Sequence, residues 1–390
     1  MLQKTKSKSA QNEDFKKRGG KRMKNKMKRL LSIMLVVAMM AMLVVGCSGK
    51  SSSSDSDEGG EAKTEEKETF KVGYANKTLN NPYFVALDQK LKEETEALGW
   101  EYASLNADEN IDKEMENMET FISQGYDLII INPIDSEACL QSISNAASAG
   151  IPVIAVDNAP DDSAECVTIV CSDNERNGRA VGLYVGEQFG DDPIVSVLLS
   201  GVKGAVVSQE RRTGLMCGII EQRTGCTEDE AWEQAREMEQ TLIDTGKAYH
   251  EGADFAINGQ GWGNWTADEG LPAMEDLLTA NKDINLVLGE NDNMLLGAMT
   301  AIENAGLTGI KLAAAADGQK EAIKLIADGT DYLATGDNSP VTVAKMTLEV
   351  AVDVLENGAT SDDYETVTRT PALCYTVENA ADYYDPDAAF

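Results

Sequence analysis

The chain has 390 residues, 42% of them hydrophobic and 6% aromatic, with 66 acids against 34 bases and a formal net charge of −32. That length buries one large core or two medium ones, so two lobes are expected, and the apolar content excludes disorder throughout. A surface this acidic repels phosphate backbones and anionic bilayers, which excludes nucleic acid and membrane as partners of the main body.

The charge is unevenly spread. Residues 1–46 hold 12 of the 34 bases, six of them from Lys21 to Arg29, and only Glu13 and Asp14 among the acids; the rest carries 22 bases against 64 acids, a net −42. Next comes LLSIMLVVAMMAMLVVGC, an apolar segment from Leu30 that ends on small residues and Cys47. A positive start, an apolar middle and small residues before a break describe a secretory leader rather than a stable span. LVVGC resembles the bacterial lipoprotein signal, in which the cysteine is lipidated and becomes the new N-terminus. The resemblance implies a leader over 1–46, Cys47 as a lipid anchor, and a mature protein on the outer face of the cytoplasmic membrane. The alternative, a signal anchor with an incidental cysteine, lacks a basic stop after Cys47. An internal start at Met23 or Met27 would shorten the leader and change nothing downstream. Residues 47–69 are rich in Ser, Gly and charge, so they are expected as a flexible tether, with the functional body starting near Phe70.

From Phe70 a short apolar run, a polar turn and a stretch of helical period recur. The runs are FKVGYAN, YASLNA, DLIIIN, PVIAVD, VTIVCSD, PIVSVLLSG, INLVLGEN and IKLAAAAD. Between the first two, Leu87, Leu91, Thr95 and Leu98 share a helix face; Met118, Phe121 and Ile122 do so in the next helix. This alternation predicts an α/β fold with mostly parallel sheets and right-handed crossovers. Six cysteines follow Cys47; Cys217 and Cys226 are the most plausible close pair, but without a regular framework buried free thiols are expected.

Several runs end on a polar residue: Asn76, Asn132, Asp157, Asp173, Asn291 and Asp317. Each alone suits a helix cap or an Asx turn. Together they line one edge of the sheets, where open α/β folds bind ligands. Carboxylates and amides there suit a neutral polyhydroxylated ligand, and an arginine forks across neighbouring oxygens. Rings cover the C–H faces of a sugar; Tyr83, Phe84, Trp262 and Trp265 are the candidates, although Phe84 also suits a core position and either tryptophan could be packing.

KTLNNPYF (Lys77 to Phe84), IINPIDSEA, VIAVDNAP, SDNERNGRAVG, SQERRTG, GENDNMLLGA and AAAADGQKEAI resemble, in order and spacing, the ribose, allose and galactose group of periplasmic sugar-binding proteins. The resemblance covers Phe70 to about Asn379. It implies the binding component of an ATP-driven (ABC) sugar importer, with two similar α/β lobes, each a mostly parallel sheet flanked by helices, and a three-segment hinge. The N-terminal lobe would take residues 70–172 with 339–367, and the C-terminal lobe 173–338 with 368–390. Carried over, Lys77, Asn81, Tyr83 and Phe84 would form the first-lobe turn that meets the sugar, with Asn132 of the INP turn and Asp157 after the fourth strand. Arg211 would fork onto the ring oxygens, Trp265 would sandwich the ring, and Asn291, Asp317 and Asn338 would complete the set.

Three residues depart from the ribose pattern: Asn158 stands where ribose binders have arginine, Lys77 where they have a small hydroxyl residue, and Ala316 where they have an aromatic. Lys77 looks more like the allose pattern and Asn338 more like the glucose and galactose one, so a pyranose hexose or another larger polyol is the expected class. An added acidic segment between Gly218 and Trp265, helical around Trp232 to Leu242, blurs the choice between Trp262 and Trp265; it could cover the pocket or face a partner. The implied state is a monomer whose partners are a monosaccharide and a membrane permease.

Other functions fit less well. A single histidine, His250, leaves no triad or metal cluster, so neither catalytic residues, a metal nor a cofactor is expected. Asp157 and Asp317 could pair for glycoside hydrolysis, but the amides and arginine around them should keep both ionised. GQGWGNW lacks GxGxxG and does not read as a strand-to-helix turn. Asp108, Asn110, Asp112 and Glu119 have partial calcium-loop spacing, but Lys113 stands where that loop needs glycine. A DNA-binding regulator would need a helix-turn-helix in place of the leader. Within the binding class, presentation of the sugar to a chemoreceptor or histidine kinase remains the alternative to import.

Overall fold

In the computed structural model, residues 69–388 and 390 are described, so the leader, Cys47 and nearly all of the tether lie outside the described residues. In chain order the first elements are β1 (Lys71–Asn76), α1 (Pro82–Ala97), β2 (Glu101–Asn106), α2 (Ile111–Ser123), β3 (Leu128–Ile131), α3 (Leu140–Ser148), β4 (Val153–Val156) and β5 (Ile169–Cys171). Then come α4 (Asn174–Phe189), β6 (Ile194–Ser200), α5 (Val206–Thr224), α6 (Glu228–Thr245), β7 (Ala248–His250), β8 (Phe255–Trp262), α7 (Ala267–Ala280), β9 (Leu286–Gly289) and α8 (Asp292–Asn304). The chain ends through β10 (Lys311–Asp317), α9 (Lys320–Ala327), β11 (Tyr332–Asp337), α10 (Pro340–Asn357), β12 (Val367–Arg369), β13 (Cys374–Thr376) and α11 (Ala380–Tyr383).

The expected α/β architecture is present as two sheets. One has the order β12-β5-β4-β3-β1-β2 and is parallel throughout; the other has the order β13-β11-β10-β9-β6-β8-β7, with only its edge strands β13 and β7 antiparallel. Parallel strands covered on both faces read as continuous apolar runs. Thus Ile130 and Ile154 pack with Leu87 and Leu91 of α1 and Val343 of α10, while Ile129 and Ile131 pack with Met118 and Phe121 of α2. Each such buried side chain contributes about 1.5–3 kcal/mol. In the second sheet Ala313 and Ala315 face α4, α5 and α6, and Leu312 and Ala314 face α7, α8 and α9.

Two helices touch backbone to backbone. A Cβ on Gly182 of α4 would lie 2.3 Å from the Leu215 carbonyl, and one on Gly218 of α5 would lie 2.1 Å from the Arg179 carbonyl. Glycine spacing of four along both helices permits this approach, and it sets Asn174 and Arg211, near the starts of α4 and α5, side by side.

The chain passes between the sheets three times: after β5, after β11 and after β12. The last passage comes later than the expected break after residue 367, because β12 pairs with β5 through Arg369↔Cys171 and therefore belongs to the first sheet. One side chain joins all three passages. Asn177 Nδ2 donates to Ser172 Oγ at 3.1 Å and to the Asp337 carbonyl, and its Oδ1 accepts from Leu373 N at 3.0 Å. Ser172 Oγ also donates to the Asp337 carbonyl, at 2.7 Å.

The added acidic segment forms α6, which opens on a capping box between Thr227 and Glu230 and buries Ala231, Ala235, Met238 and Leu242 against the second core. GQGWGNW does form a strand-to-helix turn: β8 ends at Trp262 and α7 begins at Ala267. Asn110 caps α2, and Lys113 pairs with Asp108 at 2.6 Å, in line with a solvated helix start. Cys217 and Cys226 are both free thiols, as are the other four described cysteines. Among the described residues no helix is long and apolar enough to cross a membrane.

Candidate functional site

A cavity of about 300 Å³ opens at the carboxyl ends of the strands of both sheets. Its first-lobe wall is the turn from β1 into α1. Asn81 caps α1 by accepting from Tyr83 N at 2.9 Å, and Pro82 takes the first helical position, where a missing N–H costs nothing. This local chemistry turns Lys77, Asn81, Tyr83 and Phe84 onto the cavity. The rings of Tyr83 and Phe84 meet edge to face at 5.4 Å, and the Tyr83 hydroxyl donates to Asn338 Oδ1 at 3.3 Å. Asp157 and Asn158 join this wall from the end of β4.

Asp157 has φ 64°, a left-handed conformation that a non-glycine residue holds only when its surroundings impose it. Burial pushes its carboxyl above the ordinary carboxylate range, even though Arg211 and Lys77 pull the other way. The expectation that the surrounding amides and arginine would keep both acids ionised rather than raise one is therefore corrected at Asp157: desolvation outweighs the positive charges.

The second-lobe wall is a network of side chains. Arg211, 5% exposed on α5, donates Nη1 to Asp317 Oδ1 at 2.9 Å and to the Glu290 carbonyl at 3.2 Å, and Nε to Asn174 Oδ1 at 2.9 Å. Asn338 Nδ2 donates to Asp317 Oδ1 at 3.1 Å, and Asn291 Nδ2 to Asp317 Oδ2 at 3.3 Å. Beneath them Asp292 Oδ2 accepts the N–H groups of Asp317 and Gln319, at 3.1 and 2.8 Å, and its Oδ1 accepts from the Tyr332 hydroxyl at 2.6 Å. Burial, and then the Asp317 charge, push the Asp292 carboxyl up to about 6.

Trp265 lies under the Arg211 guanidinium, 5.4 Å from ring centroid to Cζ, and its ring also rests against Gly201, where a Cβ would fall 2.2 Å from the ring. Asn264 and Trp265 both have positive φ, at 44° and 66°. The strained turn is held by Gly263 N donating to the Ser200 carbonyl at 2.8 Å and Asn264 N to the Gly201 carbonyl at 3.2 Å.

Eleven of the thirteen residues singled out in the sequence line this cavity; Asn132 and Trp262 do not. Asn132 is wholly buried, and its Oδ1 accepts from Asn158 N at 3.4 Å, so it shapes the turn behind the wall. Trp262 is the last residue of β8, paired with Ser200, and only the second tryptophan of the motif turns into the cavity. Asn76 and Asp173 are likewise turn and cap residues, bonding Thr78 N and Arg176 N. No residue of α6 lines the cavity.

The cavity also has walls that the sequence reading missed. Asn174, next to Asp173 in SDNERNG, was within a recognised motif. Gln319 follows the Asp317–Gly318 turn, and Glu109 donates its backbone N–H to the Lys77 carbonyl at 2.9 Å. Phe390, whose ring meets Tyr83 edge to face at 5.6 Å, carried no periodic signal. Carboxylates, amides and a guanidinium between ring faces can hold a polyhydroxylated ligand without covalent chemistry.

Comparisons with known proteins agree with this geometry. Residues 72–359 match the periplasmic binding protein domain. The ribose import binding protein RbsB of Bacillus subtilis (strain 168) is 29% identical over 289 residues, covering 74% of this chain and 83% of the relative. A D-ribose/D-allose-binding protein of Pseudomonas aeruginosa is 24% identical, covering 81% and 91%. The crystal structure of an ABC transporter solute binding protein from Mycobacterium smegmatis, with bound glycerol, superposes with a TM-score of 0.67 at 25% identity, covering 82% of this chain and 99% of that one.

Proposed function

The chain belongs to the periplasmic binding protein family, a family of binding proteins rather than enzymes, and we propose that it captures a monosaccharide in the cavity and delivers it to an ABC-type importer. The observation that carries this reading is one cavity with Tyr83, Phe84 and Asp157 on one wall and Trp265, Asp317 and Arg211 on the other. Flat rings cover the apolar faces of a sugar while charged and amide groups take its hydroxyls in the ring plane. Relatives whose names specify ribose or ribose and allose support an aldose. Lys77 and Asn338 favour a pyranose hexose or larger polyol over ribose itself.

Binding starts on the first-lobe turn and Asp157. The lobes then close about the three passages, at the boundaries between residues 70–172 with 339–369 and the remainder, bringing in Arg211, Trp265 and Asn291. Because the ligand touches both lobes, it stabilises the closed form, and the closed form presents the surface that the permease reads. Cys47 anchors the protein to the outer face of the cytoplasmic membrane, and the tether gives it reach.

A thermal-shift screen of the purified protein against pentoses, hexoses and inositols tests the reading, since a bound ligand raises the melting temperature by mass action. At least one hexose is expected to give a shift that Arg211→Ala abolishes. No shift with any sugar would overturn the proposal.

A further inference from the structure

Helix α6 stays outside the cavity, yet one of its carboxylates, Glu239, is only 3% exposed and reaches inward. Glu239 Oε1 accepts Nε and Nη2 of Arg212 at 3.0 and 2.7 Å, and its Oε2 accepts Gln209 Nε2 at 3.0 Å. Arg212, itself 5% exposed, donates Nη1 to Glu290 Oε1 at 3.2 Å. The wholly buried Glu290 ends the relay behind the cavity wall. Its Oε2 accepts the backbone N–H of Gly201, the seat of Trp265, at 2.7 Å, and its carbonyl accepts Arg211 Nη1 at 3.2 Å.

One buried guanidinium thus serves two buried carboxylates. Desolvation makes such an arrangement a poor source of stability compared with apolar packing, so fixed orientation is the better account of it. Charge-assisted bonds in a dry interior hold their partners within narrow angles. We infer that Glu239, Arg212 and Glu290 are positioning residues: the added helix sets the orientation of Arg211 and Trp265 from behind. The consequence for affinity rests on the sugar-capture reading, whereas the linkage itself does not.

The second ion pair of α6 supplies the control. Arg179 bridges Glu221 of α5, at 2.7 Å, and Glu228 of α6, at 3.3 Å, and it is absent from the cavity lining. In the ligand-free protein the Arg211 Nε–H and Trp265 indole N–H resonances are assigned by their loss in Arg211→Lys and Trp265→Phe. Both are expected to shift or broaden in Glu239→Gln and in the milder Arg212→Lys, and to stay in place in Arg179→Met. Calorimetric titration with D-ribose, D-allose and D-galactose is expected to give binding about tenfold weaker in Glu239→Gln, with Arg179→Met unchanged. Resonances that stay in place in Glu239→Gln and Arg212→Lys while all three variants lose melting temperature would overturn the inference, leaving α6 a purely structural addition. If none of the three sugars binds the parent, the reading of these sugars as ligands fails, and the resonances alone decide the linkage.

Discussion

The two walls of the cavity are built differently. The first-lobe wall is held by its backbone: a helix cap at Asn81, a proline at the first helical position and a left-handed Asp157 aim side chains that make few bonds to one another. The second-lobe wall is held side chain to side chain, with Arg211, Asn291 and Asn338 converging on Asp317, and with Asp292 and Glu290 beneath. A wall held by its backbone tolerates a changed side chain locally. A wall held as a network passes the change to its neighbours.

The sharpest way to break this contrast is Arg211→Ala. Removing the guanidinium leaves the Asp317 carboxylate buried without its ion-pair partner, a loss of about 3–5 kcal/mol that should appear in chemical denaturation, and sugar affinity should fall as well because a donor to the ligand is lost. Asp292→Asn comes next, with a sign set by pH. The folded carboxyl titrates at about 6 against an ordinary value of 3.8, so the stability this group allows is full below the ordinary value and is lost as pH rises through the folded one. Between pH 4 and 7 the unfolding free energy of the variant should therefore gain about 2.4 kcal/mol relative to the parent, read from urea melts at each pH. A flat difference would mean that burial and the Asp317 charge do not raise the Asp292 carboxyl.

Trp265→Ala should weaken sugar binding by about 2 kcal/mol, whereas Trp262→Ala, off the wall, should leave the affinity measured by calorimetry nearly unchanged. The smallest effect tests the contrast itself. In double-mutant cycles Arg211 and Trp265 should couple by about 1 kcal/mol, while Lys77 and Trp265, on opposite walls, should add within about 0.5 kcal/mol.

Much of the fold was legible because strands buried on both faces leave unbroken apolar runs, as in DLIIIN. β11, with the sequence YLATGD, gave no such run, since Gly336 and its small neighbours make room for Asn177 and the β10 backbone. β8 is missing from the apolar runs because its pairing with β6 and β7, rather than its composition, makes it a strand. At the site, the rule of polar residues at strand ends found Asp157, Asn291 and Asp317 but gave Asn76, Asn132 and Asp173 the same weight. A cap and a wall residue have the same chemistry; only the packing of neighbouring turns separates them. The relay behind Arg211 was not legible, because Arg212, Glu239 and Glu290 come from three distant segments.

Asn177 bears on motion. Since one amide holds all three passages between the sheets, none of them can bend alone without breaking a buried bond. In the closure proposed above the three passages are therefore expected to bend together, like a door whose hinges share one pin, and lobe opening should follow a single exponential rather than a sum of independent bends.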